Sequence, residues 1–147
     1  LLVRLIRSTL VDRRLANAFN LENIDILDYR VAANVLENAG DSIVELSNFI
    51  FNFSLSKEYS KKIYDVAKDF NKLAEKSIDA FTKPDRLLAI KAISMHKQYE
   101  AKLSLLRSQL GTKKQIPLDF LDLVYMFERI AQSWADVADL VQPIYNE

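Results

Sequence analysis

The sequence predicts an all-α protein, an antiparallel helical bundle, on three observations. Breakers are scarce: 147 residues hold 2 Gly and 3 Pro, where average usage gives roughly 17 or 18 together. No Asn-Gly, Asp-Gly or Gly-Gly pair is present, and those are the pairs that close β-hairpins. Apolar residues recur at three- and four-residue spacing through long stretches, the period of one helix face. With 50% apolar and 27% charged residues the chain can build a core, and its length is that of about one domain. The Gly-rich turn of Rossmann and P-loop sites is absent.

The elements follow in order. Leu2, Leu5, Ile6, Leu10 and Leu15 fall near helical spacing while Arg4, Arg7 and Arg14 share another face, so a first helix is expected over about residues 1–19. It opens inside an amphipathic pattern and without a start Met, which reads as a fragment of something longer. Leu21 to Leu27 reads as a connector, with Asn23 or Asp25 as N-cap of a second helix over about 28–53. Ser54 and Ser56 separate it from a third over about 57–82, where Ile63, Val66, Phe70, Leu73, Ser77 and Phe81 form a near-heptad seam. Pro84 suits the first turn of a fourth helix over about 84–110. Leu87, Leu88, Ile90, Ile93, Tyr99, Leu103, Leu106 and Leu110 supply its apolar positions, and Gly111 its stop. Lys113 and Lys114 read as a solvated loop. Pro117 opens a fifth helix over about 117–142, before Pro143, with Asp119 and Asp122 where carboxylates suit the helix dipole. Short connectors make neighbours antiparallel, and no linker is long enough to separate domains, so residues 1–147 read as one helical domain.

Composition excludes much chemistry. The absence of Cys rules out disulfides, thiolate zinc sites, Fe–S clusters and thiol catalysis. A single His, His96, rules out His-pair metal motifs and argues against a Ser-His-Asp triad. No apolar run approaches the roughly 18 residues of a transmembrane helix. A net charge of zero gives no support to a generally nucleic-acid-binding surface. The charge is uneven, however. Segments 28–54 and 116–147 carry −3 and −5, while 1–20, 56–83 and 84–115 carry +3, +2 and +5. Two acidic helices are embedded among three basic ones.

Those two helices repeat one another. At an offset of 91 residues, Val-Leu-Glu-Asn-Ala-Gly-Asp-Ser-Ile-Val-Glu-Leu (35–46) lies over Met-Phe-Glu-Arg-Ile-Ala-Gln-Ser-Trp-Ala-Asp-Val (126–137). Glu37 meets Glu128, Gly40 meets Ala131, Ser42 meets Ser133, Glu45 meets Asp136 and Asn48 meets Asp139. Within the first copy Glu37, Asp41 and Glu45 stand four apart, one above another on a helix face. Like charges at that spacing destabilise a helix by roughly 0.2–0.5 kcal/mol per pair. Water, a basic neighbour or a cation must compensate them, and hard oxygen ligands at this density suit Mg, Ca, Mn or Fe. An acidic stripe is also commonly a plain solvated face. Gly40 in mid-helix costs about 1 kcal/mol relative to Ala, which close approach by a neighbouring helix would explain.

The two motifs carry a family resemblance. Glu128-Arg-Ile-Ala-Gln-Ser-Trp-Ala-Asp-Val-Ala-Asp-Leu resembles the PhoU signature Glu-Arg-Ile-Gly-Asp-x-x-x-Asn-Ile-x-Glu, and Glu37-Asn-Ala-Gly-Asp-Ser-Ile-Val-Glu resembles it in a first copy. Asp25-Ile-Leu-Asp-Tyr-Arg-Val-Ala-Ala-Asn-Val-Leu-Glu and Leu2-Val-Arg-Leu-Ile-Arg-Ser-Thr-Leu are similar to the approach to the first motif in archaeal PhoU-type regulators. The resemblance implies tandem three-helix bundles with the first helix missing, residues 1–54 ending one bundle and 55–147 forming the next. It implies metal ligands, Fe, Mn, Ni, Zn or Mg being the candidate ions, at Glu37, Asp41, Glu45, Glu100, Glu128 and Asp136. Gln132 replaces the motif Asp in the second copy, and Asn38 the motif Arg in the first. It further implies a cytoplasmic, non-enzymatic regulator of phosphate uptake, a homodimer acting on phosphate ABC transporter components or a signalling protein. Nucleic acid would be contacted only through a domain outside this chain, such as the AbrB-like domain of archaeal relatives.

Other features weigh less. A phosphotransfer histidine at His96 would want a Lys three residues on, where Tyr99 stands, so a surface or half-buried His is expected. Trp134 and Phe127 read as core or interface anchors. Phe49, Ile50, Phe51 and Phe53 cannot all face one side of a helix. Arg4, Arg7, Arg13 and Arg14 read as a solvated face or a contact for an acidic partner. A di-iron enzyme would need Glu-x-x-His pairs, which one His cannot supply. The alternative to a regulator is a ligand-free helical dimerisation module of a larger regulatory protein.

Overall fold

The computed structural model describes residues 2–52, 56–111 and 118–141. Among them it is all-helical, with six helices: α1 (Leu2–Val11), α2 (Arg13–Ala18), α3 (Asn23–Asn52), α4 (Lys57–Thr82), α5 (Arg86–Gly111) and α6 (Leu118–Asp139). Residues 1, 53–55, 112–117 and 142–147, with the expected Lys113–Lys114 loop and the Pro117 and Pro143 boundaries, lie outside the described residues.

Four boundaries differ from the expected ones, the first three for a local reason. The first helix is broken in two at Asp12, which is extended (φ −111°, ψ 101°) and accepts the Arg14 N–H on its carboxylate at 2.9 Å. An Asp side chain that bonds its own backbone two residues on competes with the helix. α2 then ends in a left-handed Asn20 (φ 53°), with Leu21 N–H donating to the Ala16 carbonyl and Asn20 N–H to that of Asn17. This is the Schellman pattern, which satisfies the last carbonyls. α3 starts at Asn23 rather than at 28, because Asp25 reaches back to accept the Glu22 N–H at 2.8 Å, the returning half of a capping box. α5 starts after Pro84, since Asp85 caps it and accepts the N–H groups of Leu87 and Leu88 at 2.9 and 3.1 Å. At the other end, α6 stops at Asp139, short of 142, and Leu140–Val141 form a turn.

The core lies around α6. α6 packs against α3, α4 and α5; α4 and α5 pack on each other, and α1 packs on α3 and α2. Being enclosed by three helices, α6 is buried on most of its circumference, through Phe120, Leu123, Val124, Phe127, Ile130, Ala131, Trp134 and Ala138 among others. From α4 the expected seam of Ile63, Val66, Phe70, Leu73 and Ser77 is buried against it. Phe70 sits between Phe127 (centroids 5.7 Å) and Trp134 (6.4 Å), both edge-on. Phe81, last in the seam, is half-buried and meets Tyr29 of α3 edge-on at 5.5 Å. A second, smaller cluster of Ile6, Ala16, Ile26 and Ala33 holds α1 and α2 on the first half of α3. Phe49 packs against the main core whereas Phe51 is 90% exposed, so the aromatic run does divide between two sides. Among the described residues no helix is long and apolar enough to cross a membrane.

Candidate functional site

The two repeat copies meet. α3 and α6 lie side by side, and their acid-bearing faces border one surface. On it Arg129 and Gln132 of α6 form a ridge with an open cleft on each side. The cleft toward α3, about 610 Å³, is lined by Asn38, Asp41, Ser42, Glu45 and Ser133 together with the ridge. The cleft toward α5, about 600 Å³, is lined by Lys97, Glu100, Ser104, Arg107 and Glu128 with the same ridge.

The carboxylates are divided along this surface rather than gathered. Glu45 accepts a bond from the Arg129 guanidinium across the α3–α6 boundary. Glu128 accepts one from Arg107 of α5 at 2.7 Å, and the Arg107 guanidinium lies 5.3 Å from the Tyr125 ring. Asp136 accepts the Gln132 amide N–H at 2.7 Å, a helical i,i+4 pair. Glu100 has its carboxylate 3.8 Å from His96 Nδ1, too far for a hydrogen bond. Glu37 and Asp41 are exposed on α3; Glu37 and Asp136 line neither cleft. Of the six acids expected at a site, the structure thus brings Glu45 to the α3–α6 cleft and Glu100 and Glu128 to the α5–α6 cleft, with Asp41 beside Glu45. Among the described residues no three Asp, Glu or His side chains converge as a metal centre requires.

Two expectations are corrected. Gly40 is not a point of close helix approach: it is exposed, and a Cβ there would meet nothing within 4 Å. His96 is not at the surface or half-buried. It is 6% exposed, and its Nε2 is buried without a hydrogen-bond partner. Ser77 Oγ, Tyr99 Oη and Trp134 Nε1 are buried likewise. Burial, and then the carboxylates of Asp69 and Glu128, push the Tyr99 hydroxyl well above the usual phenol range, so it stays a neutral core group. Trp134 and Phe127 are core residues, as expected.

Sequence reasoning missed the two arginines. Arg129 is adjacent to a motif acid and could have been noticed as the basic neighbour the ladder demands. Arg107 is 21 residues from Glu128, and only the α5–α6 packing brings them together. No family model matches the chain, and no curated protein or solved structure does either.

Proposed function

We propose that this chain is a PhoU-type regulatory module: a non-enzymatic, cytoplasmic homodimer that relays phosphate sufficiency by contact with a phosphate ABC transporter component or a signalling protein. One observation carries this. The two motif copies, 91 residues apart in sequence, lie on helices that pack side by side, with Arg129 of the second copy bonded to Glu45 of the first. Ion pairs and an amide–carboxylate bond occupy much of the shared surface, which suits recognition by charge. Any contact with nucleic acid falls to a domain outside these residues.

Metal fits this arrangement poorly. Glu45 and Glu128 are held by arginines, Gln132 supplies a neutral amide, and no three acids converge among the described residues. Phosphate-linked regulation is therefore assigned to protein contacts. Metal analysis of protein purified without a His tag or chelator, beside Glu37→Ala/Asp41→Ala, is expected to find no stoichiometric ion. Stoichiometric Fe, Mn, Ni, Zn or Mg lost in the variant would return metal to the mechanism. The wider function is tested by deleting the gene and following uptake of labelled phosphate in phosphate-rich medium. Uptake that stays high where the parent strain shuts it down is expected; unchanged uptake would leave the ligand-free dimerisation module as the better reading. The exposed apolar side chains of Val44 and Phe51 on α3 favour that second reading over an enzyme.

A further inference from the structure

α3 offers more surface than the described residues cover. Its 30 residues span about 45 Å at 1.5 Å per residue, three times the 10-residue α1. α1 runs antiparallel to it. Thr9, Leu10 and Val11 share a cleft with residues 22–24 and Ile26, whereas Leu5 and Ile6 share one with Ile26 and Tyr29. Beneath α1, Ile26 and Ala33 are buried. The same face of α3 continues through Glu37, Gly40, Val44 and Phe51 at three-, four- and seven-residue steps, and there it is open. Val44 is 61% and Phe51 90% exposed, and Gly40 leaves a notch between them and Glu37. Among the described residues neither Glu37 nor Asp41 has an ion-pair partner.

α1 carries the complementary face. Ile6 and Thr9 are buried against α3, so Arg4, Arg7, Ser8 and Val11, spaced i, i+3, i+4 and i+7, lie on the outside and are exposed. Neither Arg4 nor Arg7 has an ion-pair partner among the described residues. Arg4 and Val11 are separated by the same seven residues as Glu37 and Val44.

We propose that a second copy of this chain covers the open half of α3: two protomers meet about a twofold axis with their α3 helices antiparallel, and α1 of each lies along the other's α3, Arg4 and Arg7 against the partner's Glu37 and the partner's Asp41, and Val11 against the partner's Val44. The directions are consistent. α1 is antiparallel to its own α3, hence parallel to that of the partner, and the equal seven-residue intervals then fall in register. The contact is isologous and occurs twice, so it closes. It also completes the compensation of the acidic ladder: Arg129 of the same chain serves Glu45, and the second copy serves the other two acids. The homodimer proposed above is the premise, to which this adds the surface.

Sedimentation velocity over a range of protein concentrations, with circular dichroism to check helix content, tests the arrangement. The wild type is expected to dimerise. Arg4→Glu/Arg7→Glu and, separately, Glu37→Arg/Asp41→Arg should each raise the dimer Kd about a hundredfold, and the fourfold exchange carrying both sets should recover most of it. A wild-type dimer that both charge reversals leave intact would overturn this surface while the homodimer stands. A fourfold exchange that stays as weak as its parents while keeping its helix content would overturn the pairing. A wild type that is monomeric throughout would overturn both the surface and the homodimer, and give the open face to another occupant.

Discussion

The charge pairs around Glu128 and Glu45 look alike on paper and differ in weight. The Glu128 side chain is 22% exposed and Arg107 32%, whereas Glu45 and Arg129 are more than half exposed. Removing Arg107 strands a largely buried carboxylate; removing Arg129 returns a carboxylate to water. Arg107→Ala is therefore expected to cost about 1–2 kcal/mol and Arg129→Ala under about 0.5 kcal/mol, compared by urea unfolding midpoints. At this scale the repeat at a fixed offset marks Glu37 with Glu128 and Glu45 with Asp136, whereas Asp41 and Glu100 have no acidic counterpart at that offset. The cationic partners of the acids were legible only in part, since tertiary packing chooses them. His96 was legible in principle. Ala89, Ala92, His96, Tyr99, Leu103 and Leu106 follow one another at three- and four-residue steps and are all buried. Counting the alanines as seam positions puts His96 on the inner face, whereas Leu87 and Ile90, taken as apolar positions, are 69% and 47% exposed.

Among the elements, helix existence followed from periodicity and helix ends followed from single side chains. The main-core helices were all expected, and the revised boundaries in the first helix and at the starts of α3 and α5 turn on an Asp or Asn that bonds the nearby backbone or takes a left-handed φ. Such a residue can cap, break or continue a helix with small differences in energy, which is why Asp12 could be passed over inside an amphipathic pattern. Gly40 shows the converse. Its position in mid-helix was plain, but its purpose was inferred from a neighbour that the described residues do not place there. Because an added Cβ would meet nothing within 4 Å, Gly40→Ala is expected to stabilise the diluted protein by about 0.5–1 kcal/mol. A raised urea midpoint with unchanged slope would register the gain.

The molecule as a whole has two cores of unequal depth. Phe127 belongs to the cluster shared by α3, α4, α5 and α6, and Ile6 to the small one under α1. Phe127→Ala should cost about 3–5 kcal/mol and lower the cooperative transition of the entire bundle. Ile6→Ala should instead loosen α1, α2 and the start of α3 while hydrogen exchange in α4–α6 keeps its protection. Equal loss of protection across all helices would mean the two clusters act as one. The position of α3 has a further consequence, which concerns the order of assembly. α4 and α5 are joined by three residues, whereas 65 separate the end of α3 from the start of α6, its packing partner. By the logarithmic law of loop closure, bringing α3 to α6 across an unfolded chain costs about 3 kcal/mol more than closing the α4–α5 hairpin. Once α4, α5 and α6 have condensed, most of that distance has already been closed, so α3 gains from docking last and carries α1 and α2 in with it.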